Sequence, residues 1–311
     1  MNNIPYTCIK FMIDYAQLHA LSAVINEGGF ERAARKLFIT QSAVSRRIQQ
    51  LESQLGEPVL LRQQPPKPTA TGTRLLNHLQ QVLQLEYGLG INALQFDSDP
   101  QKPLIVRLAA NSDSIATWLP EALVTANNEI NARLQFEIVL QDQTVVLNRM
   151  KSGEVMVCIA STADPVNGGL VSYLGALRYR AVASPAFVAA HGIQSVADLA
   201  DAPCLVFDEH DKLQHEFLTD IVKAMPKRIH LCPSSEGFRQ SVVAGLGYGL
   251  LPELQIGDGI ARGEMVDLAP HYTLDTPLYW HYWQTESPLL ASLRAHALNV
   301  AKRRLIQPGV S

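Results

Sequence analysis

Apolar residues recur along the first part of the chain at the three- and four-residue spacing of helices, and the pattern breaks sharply between residues 37 and 40. Leu18, Leu21, Val24 and Ile25 make one face of a first segment, which Gly28-Gly29 can end because glycine accepts the dihedrals of a helix C-terminus. Phe30, Ala33, Ala34 and Leu37 predict a second, short helix. Phe38, Ile39 and Thr40 interrupt it, and Thr40 is placed to cap a third helix whose Val44, Ile48, Leu51 and Leu55 return at spacings of four, three and four. Small Ala33 and Ala34 let the three helices approach and close a core. The third helix is then left with a polar face of Gln41, Ser42, Ser45, Arg46, Gln49 and Gln50, with Arg47 at its margin. Long donors and hydroxyls in this setting suit phosphates and base edges, and a bent helix pair of this kind predicts a helix-turn-helix DNA-binding unit.

Beyond Gly56 the pattern changes to Pro58-Val59-Leu60-Leu61-Arg62, a proline-rich turn through Pro68, and Thr69-Ala70-Thr71-Gly72. This predicts a hairpin wing that sets Arg62 and Lys67 beside the backbone of the same duplex. From Thr73 to Phe96, leucines and valines recur at helical spacing, although Gly88 and Gly90 weaken the end. Such a leucine-rich helix seeks a partner, either its twin in a second subunit or the body of its own chain. Residues 97–103, DSDPQKP, read as a hinge.

After the hinge the chain alternates. Strands are predicted at 104–110, 134–140 and 155–160, with helices at 114–127 and 144–151 between them, the repeat of a mostly parallel sheet. Further strands at 179–183, 205–207 and 228–231, with helices near 196–199, 212–223 and 236–244, suggest a second sheet. Two lobes with a cleft follow if the chain crosses near Gly175 and returns near Asp275. The aromatic run Tyr279 to Trp283 reads as a packed strand, with a ligand stack as the rarer alternative.

Charge sharpens the picture. The 311-residue chain has a formal net charge of −3, yet residues 1 to 75 carry nine Lys/Arg against five Asp/Glu while the rest carry 17 against 24. A basic head on an acidic body is the footprint of a nucleic-acid-binding domain joined to something else. No apolar run approaches about 18 residues, so a membrane span is not expected. The start lacks a basic stretch followed by a long apolar core, which points to a cytoplasmic protein, and residues 1–14 read as a flexible extension. Cys8, Cys158, Cys204 and Cys232 are too scattered for a disulfide framework or a zinc cluster. No GxSxG, HExxH, phosphate-loop or dinucleotide motif is present, so neither enzyme nor cofactor is expected; Gly245-Leu246-Gly247-Tyr248-Gly249 reads as turn glycines that let the backbone approach the cleft.

Ligands of open α/β sheets bind past strand ends, at helix N-termini. Asn111, Ser112, Asp113 and Ser114 hold that place after the first strand, Asp142 after the second, and Ser161 and Thr162 after the third. Asp208 and Asp211 follow a strand of the other lobe, and Ser235 opens a helix. Amides and hydroxyls here suit a carboxylate, while the carboxylates suit a cation. Serine and aspartate at helix starts are also ordinary caps. The residues alone support a small, cationic effector.

The segment FERAARKLFITQSAVSRRIQQLESQLG resembles the head of LysR-type transcriptional regulators, PTATG resembles the end of their wing with Pro68 where leucine is usual, and GLGYGLLP resembles a glycine-rich segment of their second lobe. Met156 and Cys158 stand where many members have an acidic residue. The resemblance spans residue 15 to the C-terminus. It implies an all-α winged helix-turn-helix domain over 15–72, a linker helix over 73–96 and an α/β, periplasmic-binding-protein-like two-lobed effector domain over 104–311, with lobe I at 104–175 and 276–311 and lobe II at 176–275. LAANSDSIATWLPEAL, LGALRYRAVAS, VFDEHDKLQHEFL and LYWHYW further resemble the branch that answers to basic amino acids and controls their export, which implies L-lysine or L-arginine as effector. Promoter DNA, further copies of the chain as dimer and tetramer, and RNA polymerase are the implied partners. A regulator answering to another metabolite and a small-molecule-binding protein without a transcriptional role are the alternatives.

Overall fold

The computed structural model describes residues 13–61, 63–88, 104–130, 134–140, 147, 149–150 and 154–309. The expected extension up to residue 12, Arg62, the end of the linker helix, the hinge and Asp142 lie outside the described residues. The chain divides into two compact units.

The first unit is built on α1 (Tyr15–Asn26), α2 (Phe30–Lys36) and α3 (Gln41–Leu55). The Asp14 carboxylate caps α1 by accepting from the Ala16 amide at 2.8 Å. Leu18, Leu21, Val24, Ala33, Ala34, Val44, Ile48 and Leu51 are buried in one core, so the helical spacing of the sequence is the packing of the head. Strands β1 (Leu60–Leu61) and β2 (Lys67–Pro68) pair antiparallel as the wing, which is anchored where the Val59 amide donates to Glu52 Oε1 at 2.9 Å.

Helix α4 (Ala70–Gly88) starts three residues earlier than the leucine pattern predicts. Thr69 is the reason. Its Oγ1 accepts from the Gly72 amide at 3.1 Å and its carbonyl from the Thr73 amide at 2.8 Å, so the segment read as the close of the wing is the cap and first turn of the helix. At Gly72 a Cβ would stand 2.1 Å from the Val59 carbonyl oxygen, so only glycine lets the helix start so close to the wing. Leu75 and Leu79 are buried in the head core, so the first turns of this helix are spent inside their own domain.

The second unit holds β3 (Leu104–Ala110), α5 (Ser112–Ala116), α6 (Leu119–Glu129), β4 (Leu134–Leu140), β5 (Val157–Ala160), β6 (Gly169–Ala183), α7 (Pro185–His191), a 3-10 turn (Val196–Ala200), β7 (Pro203–Val206), α8 (Leu213–Val222), β8 (Arg228–Leu231), α9 (Ser235–Val243), β9 (Gly249–Pro252), α10 (Glu253–Ile256), β10 (Val266–Asp267), β11 (Leu274–Trp283) and α11 (Pro288–Arg304). One helix was expected over 114–127, and two are found. Pro120 lacks an amide proton and its ring crowds the carbonyl four residues back, at Ala116, where α5 stops.

The main sheet is mixed, not mostly parallel. Strands β4, β3 and β5 run parallel, while β11 pairs antiparallel with β5 and β6, and β6 pairs antiparallel with β9 and β10. The cause is β6, a strand ten residues longer at its start than the expected 179–183. It carries the chain from the first lobe into the second, and β11 carries it back, so the two must oppose each other. At Gly175, φ is 132° and a Cβ would stand 2.7 Å from Leu305 Cβ. Nearby the β6–β11 register shifts between Leu278 and Tyr279. Strands β7 and β8 pair parallel and join the second lobe through the bridge between Cys204 and Tyr248.

Val182, Leu205, Phe238, Val242, Leu251, Ile256 and Met265 make the second lobe's core. The glycines of 245–249 serve this packing rather than the cleft: a Cβ at Gly249 would meet the Phe238 ring at 2.4 Å. Trp280 and His281 are buried in β11, in keeping with a packed strand. Cys158 and Cys204 are buried, and burial pushes both thiols up to about 12, which leaves them unreactive. No helix among the described residues is long and apolar enough to cross a membrane.

Candidate DNA interface and effector cleft

Helix α3 is fixed at both ends, by Thr40 Oγ1 accepting from the Ala43 amide at 3.2 Å and by Gly56 in the left-handed conformation. Its apolar stripe is buried, so the opposite face is forced outward. Gln41, Ser42, Arg46, Gln49 and Gln50 are exposed, and Ser45 and Arg47 stand half-buried on the flanks. On a helical wheel Arg46 lies opposite the centre of the buried stripe. Lys67 is exposed on the wing. Between one flank of α3, the start of α2 and the wing runs a groove of about 1090 Å³, lined among others by Arg32, Gln41, Ser45, Gln49, Gln63 and Pro65.

The second unit assembles a different kind of site. Asp113, on α5, accepts from the Tyr179 hydroxyl at 2.6 Å and from Ser235 Oγ at 2.7 Å. Tyr179 comes from the second half of β6 and Ser235 from the start of α9, so residues far apart in sequence meet on one carboxylate. Ser235 is held in turn by Gln255, whose Nε2 donates to the Ser235 carbonyl at 2.9 Å. Burial and the adjacent Asp113 and Asp211 carboxylates push the Tyr179 hydroxyl well above its usual range, so it stays a proton donor.

Asp211 is half-buried, and burial, together with the Asp113 and Asp208 charges, raises its carboxyl above the usual range against two amide hydrogen bonds that oppose the shift. Those amides are Phe207 at 3.0 Å and Leu213 at 2.9 Å. Among the described residues, no Lys or Arg forms an ion pair with Asp113, Asp208 or Asp211. Two acidic groups that interact without a neutralising cation leave the cleft electrically incomplete.

The other expected contacts divide. Asn111 is the N-cap of α5 but makes no capping side-chain bond, and its Oδ1 and the fully buried Ser114 Oγ have no hydrogen-bond partner among the described residues. Ser112 is half-buried beside them. Asp208 shapes its own loop, with Oδ1 accepting from the His210 amide at 2.8 Å and the Asp211 amide at 3.0 Å. Thr162 is likewise committed: its Oγ1 accepts from the Asp164 amide at 3.2 Å, and its carbonyl pairs with His281 Nε2 at 2.9 Å. Ser161 stands half-buried after β5. Tyr179 and Gln255 carry no local signal, because one is a strand tyrosine between two arginines and the other lies in the short helix α10 after Pro252. Among the described residues no group of His, Cys, Asp and Glu is arranged to hold a metal.

Comparison with known proteins matches both parts of the chain. Residues 15–73 match the bacterial regulatory helix-turn-helix protein, lysR family, and residues 104–302 match the LysR substrate binding domain. The HTH-type transcriptional regulator ArgP of Pseudomonas aeruginosa is 47% identical over 299 residues, covering 95% of this chain and 98% of its own. ArgP of Photobacterium profundum is 39% identical over 300 residues, covering 95% and 99%. Among solved structures, ArgP from Mycobacterium tuberculosis superimposes with a TM-score of 0.77 at 31% identity, covering 95% and 99%. Full-length LysG from Corynebacterium glutamicum with bound effector Arg does so with a TM-score of 0.70 at 31% identity, covering 95% and 100%. With both parts matched in order and nearly the whole length shared with such regulators, this protein belongs to the LysR family of transcriptional regulators.

Proposed function

We propose that this regulator binds promoter DNA through α3 and the wing, and answers to L-lysine or L-arginine in governing basic-amino-acid export. In the head, Gln41, Ser42, Ser45, Arg46, Gln49 and Gln50 read the major groove while Arg47, Arg62 and Lys67 hold phosphates. In the body, with lobes at 104–175 plus 276–311 and at 176–275, the effector's side-chain cation lies against Asp113 and Asp211. Its carboxylate is held at Ser112 and Ser114.

One observation carries the reading: among the described residues neither Asp113 nor Asp211 has a Lys or Arg ion-pair partner, and next to Asp113 the Ser114 hydroxyl is buried without a hydrogen-bond partner. A basic amino acid supplies the missing charges of both signs. The hydroxyls of Tyr179 and Ser235 already bridge the lobes through Asp113, so an effector that changes this bridge shifts the balance between assemblies. It does so only by binding them unequally.

Self-association as a dimer and tetramer is part of the same reading. It draws on the downstream face of α4 and on the sheet edges β4 and β8, where Ile138, Leu140, Ile229 and Leu231 are exposed.

Titration calorimetry on the full-length protein with lysine, arginine and norleucine, the last a neutral mimic of lysine, tests the cleft. Binding is expected for a basic amino acid and not for norleucine, with a loss of roughly 100-fold in Asp113→Asn. Equal affinity in Asp113→Asn and Asp211→Asn would remove both carboxylates from the site.

A further inference from the structure

Helices α1, α2, α7 and α9 end in the same way. In each, one amide beyond the helix bonds back to a carbonyl three residues earlier, and the next amide bonds back five. The pairs are Gly28 to Ile25 with Gly29 to Val24, Phe38 to Arg35 with Ile39 to Ala34, Gly192 to Ala189 with Ile193 to Val188, and Gly245 to Val242 with Leu246 to Ser241. The residue at the turning point is left-handed every time, with φ of 67°, 54°, 60° and 82°. Three of the four are glycine, which alone adopts that conformation without steric cost. The fourth is Phe38.

Nothing among the described residues of the head accounts for a phenylalanine there. The residue is 95% exposed, so it packs on none of the described residues, and both the backbone and the exposed aromatic surface count against the fold. Its neighbour Ile39 supplies the apolar contact to the core that such a helix end usually makes. A residue that breaks two local rules without a folding gain points to a role outside the fold.

Its surroundings say with what. Arg35 and Lys36 form the last turn of α2, and from Arg35 through Arg46 the chain has no acidic residue. Phe38 stands two residues before the Thr40 cap, at the end of α3 where exposed Gln41 and Ser42 begin the reading face. An apolar ring in a cationic border, continuous with a DNA-reading helix, suits a duplex better than a protein partner.

We propose that Phe38 is a further DNA contact, its ring packed on an apolar surface of the duplex, a thymine methyl or a deoxyribose face. The proposal rests on the reading that α3 faces the major groove. The probe is a duplex enriched from a random pool by the full-length protein, measured by fluorescence anisotropy alongside thermal melting. Phe38→Asn is expected to melt at or above the parent, because asparagine tolerates the left-handed backbone, while affinity falls roughly tenfold. The dependence of affinity on salt stays the same, since no phosphate partner is lost. Replacing thymines one at a time by deoxyuridine distinguishes the surfaces. A position that weakens the parent but not Phe38→Ala identifies a thymine methyl, and no such position identifies deoxyribose.

Parental affinity in Phe38→Asn overturns the proposal and assigns the ring to a protein partner, and a lower melting point overturns it in favour of a folding role. Arg46→Ala in the same assay separates the two readings: loss there without loss at Phe38 leaves the α3 interface standing, and no loss at either, or no enriched duplex, overturns both.

Discussion

The polar residues of α3 and those of the cleft are both candidate binding groups, yet the fold treats them in opposite ways. On α3 the side chains are left over: the apolar stripe of Val44, Ile48 and Leu51 does the packing, and Gln41, Arg46 and Gln50 are exposed because nothing inside needs them. In the cleft the groups are spent on one another. Asp113 is bonded by Tyr179 and Ser235, and Asp211 by two backbone amides. A surface site of the first kind separates binding from stability, whereas a site of the second kind couples them. Substitutions can break that contrast.

The largest effect is expected at Arg46. Its side chain is exposed opposite the buried stripe, so Arg46→Ala leaves the melting temperature within error of the parent. Operator affinity falls by about 1–3 kcal/mol, roughly 5- to 150-fold, if the guanidinium reads a base. Should it hold a phosphate instead, the loss is uniform across sequences and the salt slope drops by about one. Anisotropy at several salt concentrations separates these cases. A fall in melting temperature would erase the contrast from the side of the head.

The same contrast explains what the sequence reveals. Helical spacing in the head is a direct record of burial, so α1 to α3 and the exposed face of α3 are legible from residue order alone. The start of α4 departs from the leucine spacing because Thr69 acts through an oxygen as a cap, which hydrophobic spacing does not register. In the body, alternation reveals β3 and β4, but the length and antiparallel course of β6 depend on partners about a hundred residues away in β11. The cleft was legible as a density of acidic and hydroxyl residues, yet not as a network. Tyr179 and Ser235 reach Asp113 across sequence separations of 66 and 122 residues, which no local pattern encodes. Asp208 shows that a loop role is not legible either, because an aspartate two residues before a free amide folds a turn whether or not a cleft lies nearby.

A smaller effect, on the other arm of the comparison, is expected from Tyr179→Phe. The ring stays buried and its volume is unchanged, so the loss is the hydroxyl's bond to a carboxylate, about 1.5 kcal/mol. Chemical denaturation of the unliganded protein should register it, with operator binding by the separately packed head surface unchanged in the absence of effector. A parental denaturation midpoint would mean that the bridge between the lobes contributes nothing to the resting fold, and that the cleft is as free of structural duty as α3.

The smallest effect is electrostatic and turns on Asp211. Burial raises its carboxyl in the folded state above the value it has in the unfolded chain, about 3.9. The folded protein therefore keeps this proton to higher pH than the unfolded one does. Stability attributable to this group is present at low pH and falls as pH rises between the unfolded and the raised folded values. Asp211→Asn abolishes that slope, which amounts to less than one proton, and loses one of the two amide bonds because its Nδ2 cannot accept. A bound lysine or arginine reverses the local balance, because its cation favours the ionised carboxylate and expels the proton. Effector affinity must then weaken as pH falls through the raised value, and calorimetry in buffers of different ionisation enthalpy should count a fraction of a proton released on binding. Parallel pH profiles for the parent and Asp211→Asn would place the cation elsewhere in the cleft. A steeper profile in the parent would tie the same carboxylate to both the stability of the fold and the recognition of its effector, a coupling that the exposed residues of α3 avoid.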